Sequence, residues 1–185
     1  MLESPDIVRD FGDVFEKRHI MQPSTVAILS VTEIFHDFNQ TQLEMVASIC
    51  EPATHQKGDV VLEEYDTTKA LYVIGRGSVE IVMSPNLVGD SEQQAAEPVS
   101  ITELRQGQVT GEVALVDEGT RSATVRVIED NTYLLKIPRD RLMLLCDTYP
   151  ELGYKLMKSL AADLAFKIRN TDLTVRQLQL MLSQS

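Results

Sequence analysis

The chain has 185 residues, 43% of them apolar, and a formal net charge of −11. That apolar share can fill the core of one domain with an appendage. The acidic balance argues against a nucleic-acid groove, which needs a basic face, and otherwise reads as charge that keeps a surface in solution. No run approaches the roughly 18 consecutive apolar residues of a membrane span, and the opening MLESPDIVRD lacks the basic start and apolar stretch of an export signal.

Cys50 and Cys146 lie far apart in apolar, helix-like contexts and read as buried free thiols of a reducing cytosol, hence a cytoplasmic location. His19, His36 and His55 are scattered, and no Cys/His cluster has metal-ligand spacing, so no metal is expected.

Along the chain, Leu2, Ile7, Val8, Phe11, Val14, Phe15 and Ile20 fall near a 3.6-residue spacing. They predict a helix over 2–21 that packs on the domain it precedes, or else serves a partner. Gln22-Pro23-Ser24 breaks it. Helical signal resumes over 28–49, with Thr32 and Thr41 as candidate caps and Leu43, Val46, Ala47 and Cys50 as one apolar stripe. From Pro52 to Pro138 the pattern changes to short strands, at about 60–62, 69–74, 79–83, 99–104, 123–128 and 132–137, separated by Gly-containing turns. The polar stretch 84–98 is a long hairpin loop, either a lid or a tolerated surface insertion. Strands at this spacing read as a small closed barrel or jelly roll. The fold class is therefore α+β, mainly β, with helices at both ends.

The segment Thr110–Val125, TGEVALVDEGTRSATV, carries the chemistry. Gly111 and Glu112 lead into a short apolar helical run, Val113-Ala114-Leu115-Val116. A turn then delivers Arg121, followed by Ser122 and Ala123. A glycine-led turn into a helix start exposes N–H groups that suit a phosphate, and an arginine ten residues on can fork onto the same oxygens. A carboxylate beside the glycine suits ribose hydroxyls. The combination reads as a nucleotide site. Taken singly, Arg121 is equally a surface ion pair and Glu112 a helix-start charge.

The stretch resembles the phosphate-binding cassette of cyclic nucleotide-binding domains, the family of the bacterial catabolite activator protein and the protein kinase A regulatory subunit. The family pattern is roughly F-G-E, a small or apolar run, a turn, then R-[AST]-A. Gly111, Glu112, Ala114, Leu115, Arg121, Ser122 and Ala123 fit; Thr110 stands where an apolar or aromatic residue is usual. The likeness extends over about 28–169, including KGDVVLEEYD and ALYVIGRGSVEI, with Tyr65-Asp66 in a loop where the family often has glycine. The resemblance implies that Arg121 pairs with the cyclic phosphate, that N–H groups near Val113, Ala114 and Leu115 add dipole, and that Glu112 accepts from the ribose 2′-hydroxyl. Ser122 would add a hydroxyl donor, and Ala123 completes the motif. Val99, Ile101, Leu104 and Val113 would wall the base, each explained equally well as barrel core. Lys167, Arg169, Asn170 and Thr171 would roof it, with Lys167 and Ile168 standing where the activator has two hydroxyl residues. The implied ligand is cyclic AMP or cyclic GMP, with Ser122 leaning to cyclic AMP.

After Pro138 a short helix over 139–146 and a break precede a long helix over 151–182. Met157, Ala161, Leu164, Ile168, Thr171, Val175, Leu178 and Leu182 recur with gaps of four and three, a coiled-coil seam. Its distal half predicts a homodimer through 157–182, with the first half packing on the barrel as the alternative. Thr171 is either a base contact or the polar member that sets the seam's register. The expected division is an N-terminal helix at 1–27, a cyclic nucleotide-binding β-roll at 28–150 and a C-terminal helix at 151–185.

Four functions compete. The first is a cyclic-nucleotide sensor that relays binding through its last helix. A transcription factor would need a helix-turn-helix after Leu182, where three residues remain, so direct DNA binding is not expected unless the chain belongs to a larger regulator. A nucleotide hydrolase would need a metal cluster, paired carboxylates or a nucleophile–His arrangement, none of which the sequence carries, so no enzyme is expected. The fourth is a structural dimer with an empty or differently liganded pocket.

Overall fold

The computed structural model describes residues 24–84, 98–117 and 119–183. The helix expected over 2–21 and the loop expected over 84–98 lie wholly or almost wholly outside the described residues. The remainder opens with helix α1 (Thr25–Ser30), a 3-10 turn (Glu33–Phe35) and helix α2 (Gln40–Ile49). The caps differ from the expected ones. Ser24 caps α1 by accepting from the Ala27 amide, and Asn39 closes a reciprocal capping box with Gln42 at the start of α2. Thr41 lies inside α2. The Thr32 hydroxyl instead donates back to the Ile28 carbonyl at 2.9 Å. A polar side chain one position upstream of each helix did the capping, and the threonines competed poorly.

Among the described residues eight strands follow: β1 (Glu51–His55), β2 (Val60–Leu62), β3 (Ala70–Arg76), β4 (Ser78–Met83), β5 (Val99–Arg105), β6 (Val109–Thr110), β7 (Thr124–Val127) and β8 (Thr132–Pro138). They form two antiparallel four-stranded sheets, ordered β1-β8-β3-β6 and β2-β7-β4-β5. β1 carries Pro52 and little apolar pattern, which hid it in the sequence; it holds the sheet edge by pairing with β8, Glu51 opposite Lys136.

Alternation along β3 and β8 divides the core in two. Ala70, Tyr72, Ile74 and Leu134 face the second sheet, where Leu62, Val79, Leu104, Val125 and Val127 meet them inside the roll. Leu71, Val73, Tyr133, Leu135 and Ile137 face the other way, into a cluster with Ile28, Leu29, Ile34 and Phe35. Because the first sheet is covered on both faces, β3 reads as an unbroken apolar run rather than an alternating one.

Helices α3 (Val113–Val116), α4 (Arg139–Thr148) and α5 (Pro150–Leu182) complete the chain. α5 has 33 residues, about 50 Å at ~1.5 Å per residue. Leu152, Gly153, Leu156 and Leu160 bury its first turns in the helical cluster. Beyond Leu160 no residue of α5 is fully buried among those described. No helix among the described residues is long and apolar enough to cross a membrane.

Candidate functional site

The site begins at Gly111. Its φ of +80° is the left-handed conformation that glycine adopts without steric cost. A Cβ there would stand 2.7 Å from the Ala70 carbonyl oxygen and 2.7 Å from Arg121 Nη1. The backbone approaches the arginine so closely that only glycine fits. Glu112 then starts α3, a single turn whose first N–H groups have no partner four residues back.

Arg121 is 4% exposed. Its backbone is pinned between strands, donating to the Asp66 carbonyl and accepting from Tyr65, each at 2.9 Å. Nη2 donates to the Ala70 carbonyl at 2.9 Å and Nη1 to the Gly111 carbonyl at 3.2 Å. Nε is buried with no hydrogen-bond partner. No carboxylate of the described residues forms an ion pair with this guanidinium. Burial pushes its pKa down, and the fields of Asp66 and Glu112 only partly counter that. A buried cation with an orphan donor is costly: an unsatisfied buried donor loses about 1–3 kcal/mol, more when charged.

The guanidinium borders a cavity of about 560 Å³, inside the ~300–1,000 Å³ range of small-molecule sites. Of the cassette residues, Gly111, Glu112, Val113, Ala114, Arg121, Ser122 and Ala123 line it. Leu115 does not: its side chain is buried in the helical cluster and its N–H is spent on the Glu112 carbonyl at 3.0 Å. Ile101 and Leu104 line one wall, with Leu62, Ile81 and Val125 of the roll. Val99 lies outside the lining and is 53% exposed, near the start of β5. Val99 is the first residue of β5 and pairs with Met83 at the far end of the strand from Leu104, so it does not wall the cavity.

About three turns of α5 form the roof. Lys167, Asn170 and Thr171 line the cavity as expected, joined by Asp163, Phe166 and Thr174; Arg169 does not. The sequence reading missed Asp163, Phe166 and Thr174, although 163, 167, 170 and 174 recur at helical spacing beside the apolar seam. Lys167 also points elsewhere than at a base. Its Nζ lies 2.9 Å from Glu112 Oε1 and 2.8 Å from Asp163 Oδ2. Burial alone would push its pKa down, but the pull of Glu112 and Asp163 and the hydrogen bond to Glu112 raise it above the usual lysine value.

Comparison with known proteins agrees with this geometry. The family model described as cyclic nucleotide-binding domain matches residues 53–149, just over half of the chain. The chain belongs to the cyclic nucleotide-binding domain family. The cyclic AMP receptor protein of Thermus thermophilus is 29% identical over 140 residues, covering 76% of this chain and 59% of that protein. The crystal structure of the Thermus thermophilus catabolite activator protein superposes with a TM-score of 0.65 at 26% identity, covering 80% of this chain and 63% of that one. A cyclic nucleotide-binding domain from Methylobacillus flagellatus KT superposes with a TM-score of 0.66 at 22% identity, covering 80% and 78%; that likeness speaks to the fold. The chain spans about 59% of the length of the first relative and much less of others, such as 10% of a cGMP-dependent protein kinase from Eimeria tenella. Together these place residues 53–149 in the cyclic nucleotide-binding domain family and show a fold shared with a catabolite activator protein over 80% of the chain.

Proposed function

We propose that the cavity binds a cyclic nucleotide, cyclic AMP by preference, and that binding is relayed through α5 in a homodimer, with no chemistry done on the ligand. One observation carries the reading: Arg121 is a buried cation with an unpartnered Nε and no carboxylate on it, set against a ligand-sized cavity. A singly charged cyclic phosphate supplies the missing countercharge and acceptors. Val113 and Ala114 sit at the start of α3, whose amides favour the same oxygens.

The preference for cyclic AMP rests on Ser122, which lines the cavity beside Arg121. Thr171 and Thr174, which also line it, carry hydroxyls that can donate or accept toward a base edge. The relay has a route as well. Leu115 of the cassette packs in the same cluster as Leu142, Leu152 and Leu156 at the α4–α5 joint, so a shift of α3 reaches α5 through side chains in one cluster. The ligand moves that equilibrium only by its differential affinity for the two helix positions.

The dimer rests on α5 beyond Leu160. Ile168, Val175, Leu178 and Leu182 keep the heptad spacing and are exposed in the single chain, an apolar stripe that a second copy of the helix would cover. Calorimetric titration of the wild type and Arg121→Met with cyclic AMP and cyclic GMP tests the site. The expected result is tight cyclic AMP binding, weaker cyclic GMP binding, and loss of both in the variant. Equal binding by the two proteins refutes the placement of the phosphate on Arg121.

A further inference from the structure

The Lys167 ammonium is shared between two carboxylates that are themselves largely buried: the Glu112 side chain is 9% exposed and that of Asp163 13%. Asp163 sits four residues before Lys167 on the same helix face, so its pairing holds the lysine in one rotamer over the cassette. Lysine has three N–H donors, of which the hydrogen bond to Glu112 uses one, the contact with Asp163 being an ion pair whose Oδ2 accepts no hydrogen bond; a carboxylate has room for about four acceptor contacts, so Glu112 retains capacity beyond Oε1.

We infer that Lys167 and Glu112 together form a donor–acceptor pair for one neutral hydroxyl of the ligand, making Lys167 a specificity-determining residue contributed by α5. This rests on the cyclic-nucleotide reading above. The charges select the group. A second phosphate or a carboxylate would meet two carboxylates against one ammonium and be repelled, and an amine would meet the ammonium. A hydroxyl alone donates to Glu112 and accepts from Lys167 at once. Gly111, whose carbonyl accepts from Arg121 Nη1, is the neighbour of Glu112. The hydroxyl reader therefore lies one residue from the phosphate anchor, matching a ribose whose 2′-hydroxyl is adjacent to its 3′-phosphate oxygen. A ligand lacking that hydroxyl leaves a largely buried carboxylate and an ammonium N–H facing a methylene, and sites of this kind reject such analogues strongly.

The structural alternative is that Lys167 only docks α5 onto the cassette. The two roles give different ratios. Binding of cyclic AMP and 2′-deoxy cyclic AMP is measured on the wild type, Lys167→Met and Lys167→Arg, each first shown to unfold cooperatively. The wild type should prefer the ribose ligand by at least about thirtyfold. Lys167→Met should cut that preference about tenfold, chiefly by weakening the ribose ligand, as expected for one lost charge-assisted hydrogen bond. Lys167→Arg should keep most of it. Equal changes for both ligands in Lys167→Met overturn the inference while leaving the cyclic-nucleotide reading intact. Failure of the wild type to bind either ligand overturns both.

Discussion

Replacing Arg121 with methionine separates binding from folding, because the structure assigns the two effects different sizes. In the ligand-free protein the substitution removes two hydrogen bonds, to the carbonyls of Ala70 and Gly111. Each such bond from a charged donor contributes about 1.5–3 kcal/mol. Against this stands the desolvation of a guanidinium that is 4% exposed, lacks an ion-pair partner among the described residues and has an orphan Nε. The effective penalty for such burial is several kcal/mol. The terms oppose and are of similar size, so the ligand-free variant should lie within about 2 kcal/mol of the wild type. Binding has no such cancellation. Losing a buried partner of a charged ligand group costs about 3–5 kcal/mol, or two to four decades in affinity. In a thermal-unfolding assay with cyclic AMP at a hundred times the wild-type Kd, mass action stabilises the wild type by about 2.7 kcal/mol. At about 2–4 °C per kcal/mol for a chain of this size, that is a shift of about 5–10 °C. Arg121→Met should unfold near the wild-type ligand-free temperature and show no shift. A variant much less stable than the wild type, yet still shifted by ligand, would refute the reasoning: Arg121 would then be a structural cation.

Gly111→Ala should fail in the opposite way. It forces a Cβ to 2.7 Å from Arg121 Nη1 at a φ of +80°, so it should lower stability by about 1–2 kcal/mol from backbone conformation alone and weaken cyclic AMP binding as the guanidinium shifts; chemical denaturation and calorimetry read the two. Placing glutamate at both Ile168 and Leu178, exposed on the α5 stripe, should convert a dimer to a monomer at micromolar concentration in sedimentation velocity while leaving Arg121-dependent binding measurable. Lys167 has its pKa raised in the folded chain, so its stabilisation is fully present below the unfolded value near 10.5 and is lost as pH climbs through the higher folded value. The fall in urea midpoint above pH 10.5 should be shallower in Lys167→Met. Burial pushes the Cys50 thiol up to about 12 from 9.0, so at pH 8 it should alkylate roughly a thousandfold more slowly in the native protein than in urea, as read by mass spectrometry.

Much of the site is local in sequence, and that part was legible. Gly111, Glu112 and Arg121 lie within eleven residues, the glycine demanded by a positive φ and the arginine delivered by the next turn. Apart from the two-residue β6, the strands from Val60 to Ile137 showed through short apolar runs between Gly-containing turns, and α5 through a seam with gaps of four and three. β1 did not, because its place depends on β8 about eighty residues away and not on its own pattern. Thr41 did not cap because Asn39 stands at the start of α2, and Thr32, although it precedes the 3-10 turn, spends its hydroxyl on the Ile28 carbonyl.

What only the tertiary structure decided is who meets whom across the pocket. Periodicity marks an apolar stripe on α5 but not which surface each of its other faces covers. Helix α5 turns Leu156 and Leu160 to the core, Asp163, Lys167 and Asn170 to the cavity, and Ile168 and Leu178 outward. Lys167 reaches Glu112 across 55 residues of chain, and Arg121 reaches the Ala70 carbonyl across 51. Both contacts follow from how β3 and α5 pack around the cassette. Packing of that kind is set by the whole core at once, so no window of sequence could place the Lys167 ammonium on the buried Glu112 carboxylate.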